Sequence, residues 1–451
     1  MIEMFRPILS TRVVLFCSVV ACLWGSSGPA WAEVDLTAAA PPITEQYNLA
    51  PPANDAVKAA SEAIVSGDLE TARSELSTLG KTADIFHPEI LLVQLLFSQG
   101  MAREGVALLE KFAAQEPRRQ DVYLLFIEIA VSERRWFDAW NLSNTGERLA
   151  PASNWSPSFA ARVKDRMIVL KAISCEGRQD WKTARDAYLL LSKGKDVQGD
   201  ILEGLGRTEY KLGNINPSLA YFQKLRDSQK RLLIPAFALA NLYEADGNVI
   251  KAEEFFQKAV ASKEATPREL IPAKLAFARF LIWSSRPADA KPFLENEITE
   301  SSGSETERQF LLAIVARMEQ RFKDAQEILS RLHQQDSSSF AIGNHLALVL
   351  IESEQESLRG RSLQIAEVNA RNNPQTVDAL ATLGYIQFRL GDLTSAEKSL
   401  GTSVQNGKLS RDGAFYLAKI KQSLGNKEEA KKLYDTAMSL PGPVFYPELK
   451  K

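Results

Sequence analysis

The sequence predicts an all-α protein, built as a long series of similar helix-turn-helix units. Three observations lead to this prediction. Small residues recur at intervals close to 34 residues, Leu-Gly or Leu-Ala pairs mark the clearest copies, and a Gly-Asp or Gly-Asn pair stands between these two features. One pair of short helices cannot bury its apolar side alone, whereas stacked copies can. We therefore expect one continuous array and not several separate domains.

The clearest copy, Leu380–Leu400, shows what each repeated residue does. Gly384 lets two helix backbones approach closely. Gly391 ends the first helix, and the Asp that follows caps the second. Ala396 is the small residue near the start of the second helix. Its equivalents along the chain are Ala72, Gly105, Ala139, Ala184, Ser218, Ala252, Ala290, Ala325, Ser362 and Ala430.

This pattern resembles the tetratricopeptide repeat, and the resemblance covers residues 54–440. It implies an α-α superhelical solenoid of about eleven tetratricopeptide helix-turn-helix repeats. It also implies an inner groove, lined by the first helix of each repeat, that binds extended or helical segments of partner proteins. Residues 441–451 follow the array as a C-terminal tail.

The resemblance also assigns residues to this groove. In four repeats, the residue after the Gly or Ala of the first helix is expected to line it, and so are residues one turn later. We expect Arg207, Asn241 and Arg279 to form a row of donors suited to a peptide backbone or a carboxylate. A solvated face without a ligand is the alternative. The complete predicted partner-binding set is Arg207, Tyr210, Lys211, Asn241, Arg279, Tyr385, Phe388 and Arg389.

The composition argues against several other functions. The 451 residues include 54 Lys and Arg against 56 Asp and Glu, and a general nucleic-acid binder needs an excess of basic residues. No two of the three histidines, His87, His333 and His345, lie within four residues of each other, so the sequence gives no basis for a metal site. The sequence contains no phosphate-binding loop and no nucleophile-elbow motif. We therefore expect no cofactor and no catalytic residues.

Residues 1–32 have the features of a secretory signal peptide. Two arginines precede an apolar run from Val13 to Trp24, and Ala30 and Ala32 then form an A-x-A cleavage site. The run is too short to span a bilayer, whose hydrocarbon core is about 30 Å thick. We expect export, with the mature protein in the periplasm, secreted or at the cell envelope.

The cysteines leave a second processing route open. Val19–Cys22 resembles a lipobox, in which Cys22 would carry lipid and become the new N-terminus. Cleavage at the A-x-A site instead leaves Cys175 as the single cysteine, so no internal disulfide is expected. Cys175 falls at an apolar position of its first helix and is expected to be a buried thiol. Residues 33–53 are rich in Pro and Ala and are expected to be a flexible lead-in.

These observations favour an exported, non-enzymatic scaffold that binds a protein or peptide partner in the periplasm or cell envelope. The alternative is an outer-membrane lipoprotein, lipidated at Cys22, that belongs to an envelope, exopolysaccharide-assembly or secretion machine. An enzyme that uses an acid in the groove is the third and least favoured hypothesis, since the repeats occupy almost the whole chain.

Overall fold

A computed structural model describes residues 54–193, 197–228, 234–295 and 302–449. The expected signal peptide, Cys22 and the lead-in lie outside these residues. Within them the regular structure is helical, which confirms the all-α prediction. The helices are α1 (Asp55–Val65), α2 (Leu69–Ser77), α3 (Pro88–Ser98), α4 (Ala102–Gln115), α5 (Gln120–Ser132), α6 (Trp136–Gly146), α7 (Pro157–Gly177), α8 (Trp181–Leu191), α9 (Gly199–Lys211), α10 (Ile215–Asp227), α11 (Pro235–Ala245), α12 (Val249–Val260), α13 (Pro267–Trp283), α14 (Pro287–Ala290), α15 (Ser302–Met318), α16 (Phe322–Gln335), α17 (Phe340–Leu350), α18 (Glu356–Asn372), α19 (Val377–Arg389), α20 (Leu393–Asn406), α21 (Arg411–Ser423) and α22 (Lys427–Ser439).

Consecutive helices pair into helix-turn-helix hairpins, α1 with α2 to α9 with α10 in the first unit and α13 with α14 to α21 with α22 in the second. Each of the small residues that the sequence analysis aligned lies in the second helix of its hairpin and is buried. The predicted repeat arrangement is therefore confirmed. The seventh hairpin is shortened, because α14 has only 4 residues and continues as a 3-10 turn at Lys291–Phe293.

The turn between the two helices of a hairpin uses one residue in the left-handed region. Gly391 and Gly425 have φ of 91° and 84° there, as a Gly-Asp or Gly-Asn turn requires. Four hairpins place a residue with a side chain in the same position, at φ between 56° and 60°; these are Arg134, Gln179, Ser285 and Gln320. The turn geometry is thus kept even where the glycine signal is missing.

Close contact between the two helices explains the glycine of the Leu-Gly pair. A Cβ atom added at Gly384 would lie 2.8 Å from Leu400 Cδ1 and 3.0 Å from the carbonyl oxygen of Ala396. At Gly206 it would lie 2.7 Å from Phe222 Cζ. A larger residue would push the two helices apart.

The described chain divides into two compact units, residues 54–242 and residues 243–449. In the first unit, one apolar cluster runs from Val57 in α1 to Leu205 in α9. In the second unit, the core of the last hairpins includes Tyr385, Phe415 and also Leu449, which lies beyond α22.

The loop before α7 accounts for the longest interval between repeats, from Ala139 to Ala184. This loop reaches back to the connection between α2 and α3. Asn154 Nδ2 donates to the carbonyl oxygen of Ile85 at 3.1 Å, and Trp155 Nε1 donates to the same oxygen at 2.9 Å. Asp84 accepts from Ser156 N at 2.6 Å. The insertion therefore braces the first unit instead of extending freely into solvent.

Candidate functional site

The second unit carries a groove that holds a stretch of its own chain. After α22 ends, residues 441–449, here called the C-terminal segment, fold back against residues of α15, α17, α19 and α21. Most of this segment has no regular secondary structure, apart from a 3-10 turn at Pro447–Leu449. Gly442 has φ of 122°, and this left-handed conformation lets the chain turn back at that point.

Side chains of the groove hold the backbone of this part of the chain. Arg411 donates from Nε to the carbonyl oxygen of Leu440 at 2.8 Å and from Nη1 to that of Gly442 at 2.6 Å. Ser285 Oγ donates to the Gly442 carbonyl at 3.1 Å. Gln320 Nε2 donates to the carbonyl oxygen of Phe445 at 2.7 Å. All of these bonds are donated to main-chain carbonyl oxygens, so they do not depend on which side chains the segment carries.

Two aromatic side chains of the segment are enclosed by the groove. Phe445 is 5% exposed and lies under the guanidinium of Arg317, 3.8 Å from Arg317 Cζ to the ring centroid. Tyr446 stacks on Phe415 with ring centroids 4.4 Å apart. Its hydroxyl accepts from Arg317 Nη2 at 3.2 Å and donates to the Tyr416 hydroxyl at 3.0 Å. Phe445 and Tyr446 therefore occupy two adjacent aromatic pockets.

Arg317 is the charged centre of this groove, and its side chain is only 2% exposed. Burial disfavours its charge, yet Tyr446, Tyr416 and Asp412 hold the pKa of Arg317 above its ordinary value. Burial and the neighbouring Arg317 lower the pKa of His345 well below its ordinary value. His345 is therefore neutral at physiological pH, and its Nδ1 lies 2.8 Å from Arg317 Nη1, where it can accept a hydrogen bond.

The Oδ2 atom of Asp412 lies 3.7 Å from Nη2 of Arg317. Burial raises the pKa of Asp412 to about 6, although Arg317 acts in the opposite direction. The other carboxylate oxygen, Oδ1, is buried and has no hydrogen-bond partner, and the same is true of Asn344 Oδ1. The groove thus holds two buried acceptor atoms that the C-terminal segment does not use.

Two cavities flank the segment. The first, called the polar cavity, has a volume of about 120 Å³, and its lining includes Arg279, Trp283, Asn344, Asp412 and the Pro441–Pro443 stretch. The second, called the aromatic cavity, has a volume of about 610 Å³, and its lining includes Glu352, Tyr385, Phe388, Arg389 and Glu448. Phe445 lines both cavities.

Four of the sequence-predicted groove residues belong to this site. Tyr385, Phe388 and Arg389 meet at the aromatic cavity, and Arg279 lines the polar cavity. Tyr385 stacks on Tyr416 with ring centroids 4.1 Å apart. Arg389 Nη1 donates to Tyr385 Oη at 3.0 Å, and it also pairs with Glu352 at 2.6 Å.

The other predicted residues lie in the first unit. Arg207 is largely buried, and its guanidinium pairs with Glu176 at 2.9 Å and with Glu203 at 3.2 Å. Tyr210 is 7% exposed, and Lys211 Nζ lies 5.6 Å from its ring centroid. Asn241, in α11, is partly exposed. The predicted row joins Arg207 and Asn241 of one unit with Arg279 of the other, and it stays a prediction.

Sequence reasoning did not find the residues that hold the segment. Arg317, Gln320 and Arg411 are absent from the predicted set, and the segment itself was classed only as a tail. One signal was present. Two aromatic residues follow Pro441–Pro443 after the last helix. Large aromatic side chains stabilise a fold mainly when they are buried, so such a pair indicates a segment that packs against the protein.

The described residues contain no group of three or more His, Cys, Asp or Glu side chains placed to hold a metal ion. Cys175 is fully buried as predicted, and burial raises the pKa of its thiol to about 11. None of the helices in the described ranges combines the length and apolar character of a membrane span.

Comparison with known proteins identifies a tetratricopeptide repeat in the last hairpin. Residues 415–442, which contain most of the last hairpin, match the family profile described as tetratricopeptide repeat. No curated protein sequence matches the chain. A thermophilic tetratricopeptide repeat protein of Thermus thermophilus is 18% identical, with 38% of this chain and 91% of that chain covered and a TM-score of 0.34. A tetratricopeptide repeat protein from Parabacteroides merdae is 13% identical, with 61% and 93% covered and a TM-score of 0.35. Because these TM-scores are low, the assignment of the repeat rests on the profile match and on the hairpin geometry.

Proposed function

We propose that this chain, whose residues 415–442 match the tetratricopeptide repeat profile, is a non-enzymatic scaffold whose second unit binds a peptide segment of another protein. One observation carries this proposal. The groove already accommodates a stretch of chain without regular structure, through side-chain donors to its carbonyl oxygens and through two aromatic pockets. The same two elements, main-chain bonds for affinity and side-chain pockets for specificity, serve peptide recognition generally.

The aromatic cavity offers room for partner side chains beside the segment. Its volume of about 610 Å³ falls in the range of typical ligand sites. Arg389, Glu352 and Lys419 place charges of both signs around its aromatic wall. We infer that a partner is selected by local complementarity, because the net charge of the whole chain is only −2.

A photo-crosslinking experiment in the native cells tests this function. The photoreactive residue p-benzoylphenylalanine would replace Phe388, which lines the aromatic cavity, or Phe137, which is 60% exposed on α6 of the first unit. We expect a discrete crosslinked adduct from position 388 and none of the same mass from position 137. No adduct from position 388, or the same adducts from both positions, would reject the groove as the binding site.

We also propose that the scaffold is exported to the periplasm or cell envelope. The support is the apolar run from Val13 to Trp24 followed by the A-x-A site that ends at Ala32. The second candidate, a lipoprotein of an envelope-assembly or secretion machine, is supported by Cys22 at the end of its lipobox-like sequence.

The mass of the mature N-terminus separates these proposals. A chain that begins at Glu33 supports the soluble exported scaffold, and a diacylated Cys22 supports the lipoprotein. A cellular protein that keeps the whole of residues 1–32 would reject export.

A further inference from the structure

We propose that the C-terminal segment is an intramolecular ligand of the groove, which a peptide segment of the partner can displace. The partner is then an extended peptide segment that carries two adjacent aromatic side chains followed by an acidic one, and it binds by displacing residues 441–449. This inference rests on the proposed function, since it names the peptide that the same groove takes.

The segment is held in the way that a bound peptide is held. Its main-chain contacts come from side chains of three different hairpins, through Ser285, Gln320 and Arg411. From residue 441 to residue 446 the segment forms no helix or strand with the repeats. The contacts therefore do not require that the segment be covalently part of the array, and an equivalent backbone from another protein could accept the same bonds.

The aromatic pair sets the chemistry of the partner. The first ring must lie against the Arg317 guanidinium, and the second must carry a hydroxyl that reaches both Arg317 and Tyr416. A buried arginine needs an aromatic face and an acceptor around it, because a desolvated cation without partners is costly. An aliphatic peptide would remove the aromatic face and the tyrosine hydroxyl, and would leave Arg317 with only His345 and Asp412 beside it.

An acid after the aromatic pair completes the match. Lys419 Nζ lies 3.0 Å from Glu448 Oε1, at the edge of the aromatic cavity, and Glu448 keeps about half of its side chain exposed. Such an exposed pair contributes little affinity but disfavours a basic residue at this position.

The C-terminal segment leaves two acceptor atoms of the groove without a hydrogen bond, and this favours its displacement by a partner that can bond to them. Asn344 Oδ1 and Asp412 Oδ1 are buried without hydrogen-bond partners, and both residues line the polar cavity. The segment faces that cavity with Pro441–Pro443, whose side chains have no donor. A partner with a donor side chain in place of Pro443 can donate hydrogen bonds to these acceptors. It would therefore bind more tightly than the C-terminal segment does.

Fluorescence anisotropy with the full chain tests the exchange. The probe is a labelled peptide with the sequence of residues 440–451, and the two proteins are the wild type and the double variant Phe445→Ala, Tyr446→Ala. A tethered segment competes at an effective concentration on the order of millimolar. We expect the peptide to bind the double variant at least tenfold more tightly than it binds the wild type. Phe137→Ala, which removes an exposed ring from the first unit, should bind the peptide as the wild type does.

A second peptide tests the unused acceptors. It carries Gln in place of Pro443 and should bind the double variant several-fold more tightly than the natural sequence does. Equal affinities would reject the role of Asn344 and Asp412. A peptide in which the two aromatic residues are replaced by Ala should not bind, and binding of that peptide would reject the aromatic specificity.

The outcomes separate this inference from the proposed function. Equal binding of the natural peptide to wild type and double variant, or binding to neither, overturns the exchange. A crosslinked adduct at position 388 would still support the scaffold in that case. Should circular dichroism show that the double variant is unfolded, Tyr446→Phe replaces it, because this change removes only the hydroxyl bonds to Arg317 and Tyr416. A smaller gain in peptide affinity is then expected, and no gain would overturn the exchange.

Discussion

The guanidinium of Arg317 lies 3.8 Å from the ring centroid of Phe445 and so joins the eighth hairpin to the segment that follows the last one. The same arginine lies 3.7 Å from Asp412 and donates to Tyr446. One buried cation therefore links three parts of the second unit that are far apart in the sequence. This side chain therefore contributes, beside Ser285, Gln320 and Arg411, to the closure of the groove by its own chain.

Replacing Arg317 should destabilise the second unit strongly. Arg317→Met keeps much of the side-chain length but leaves Asp412 without its facing cation and Phe445 without its cation–π partner. We expect a loss of about 3 kcal/mol in the free energy of unfolding, measured by urea titration. Arg321→Ala is the matched control, because Arg321 pairs with Glu319 on the surface, and it should cost less than about 1 kcal/mol. Similar losses in the two variants would contradict the central role of Arg317.

The stability of the second unit should fall between pH 4 and pH 7 because of Asp412. Its pKa is 3.8 in the absence of the fold and about 6 within it. The folded chain therefore binds the extra proton in this interval, and the stabilisation is complete below about pH 4 and lost as the pH rises through about 6. The full pKa difference corresponds to about 3 kcal/mol, of which about 2 kcal/mol is lost between pH 4 and pH 7.

Asp412→Asn isolates this contribution, because the amide does not titrate. Urea titrations at pH 4 and pH 7 should show that the wild type loses about 2 kcal/mol more than the variant over this range. His345, whose pKa is lowered, contributes with the opposite sign in both proteins, and its effect cancels in the comparison. Parallel pH profiles for the two proteins would show that Asp412 is not buried as described.

The left-handed turn residues allow a paired test of the Gln320 contact. Gln179 and Gln320 both have φ of 60°, a conformation in which glycine is less strained. Gln179 is exposed, so Gln179→Gly should raise the free energy of unfolding by about 0.5–1 kcal/mol. At position 320 the same substitution also removes the hydrogen bond from the Gln320 side-chain amide to the Phe445 carbonyl oxygen, which is 2.7 Å long. Gln320→Gly should therefore not raise the free energy of unfolding. Equal gains in urea titrations would mean that Gln320 does not hold the segment.

Two helical glycines should respond in opposite ways to the same substitution. Gly206→Ala places a methyl group 2.7 Å from Phe222 Cζ and should cost about 1–3 kcal/mol by overpacking. Gly360→Ala, in α18, meets no atom within 4 Å and should stabilise by about 0.5–1 kcal/mol through helix propensity. Thermal unfolding monitored by circular dichroism measures both, and a loss at Gly360 would contradict the packing described for α18.

The repeat made most of the fold predictable from the sequence. Each small anchor residue, from Ala72 to Ala430, fixed the position of a second helix, because only a small side chain fits between two closely packed backbones. Turns without glycine, such as the one at Gln179, were harder to predict from the sequence. The left-handed conformation there is imposed by the neighbouring helices and not by the residue itself.

The candidate site was only partly predictable. Tyr385, Phe388 and Arg389 follow the repeat register and so were assigned to the groove, where they line the aromatic cavity. The contact of Arg317 with Phe445 has no period, because it joins a repeat to a segment outside the array. Sequence periodicity predicts what recurs, and a contact made once in the molecule leaves no such pattern.

The brace in the first unit gives the last prediction. Asn154 donates to the carbonyl oxygens of Thr82 and Ile85, both at 3.1 Å, and Trp155 donates to Ile85. Asn154→Ala removes two hydrogen bonds to loop carbonyls and should lower the free energy of unfolding by about 1–2 kcal/mol. Asn141→Ala, on α6 outside the brace, is the control and should change it by less than about 0.5 kcal/mol. Hydrogen exchange followed by mass spectrometry should show faster exchange in the loop before α7 for Asn154→Ala alone. Unchanged exchange there would mean that packing of Trp155, which is 8% exposed, holds the loop without the Asn154 bonds.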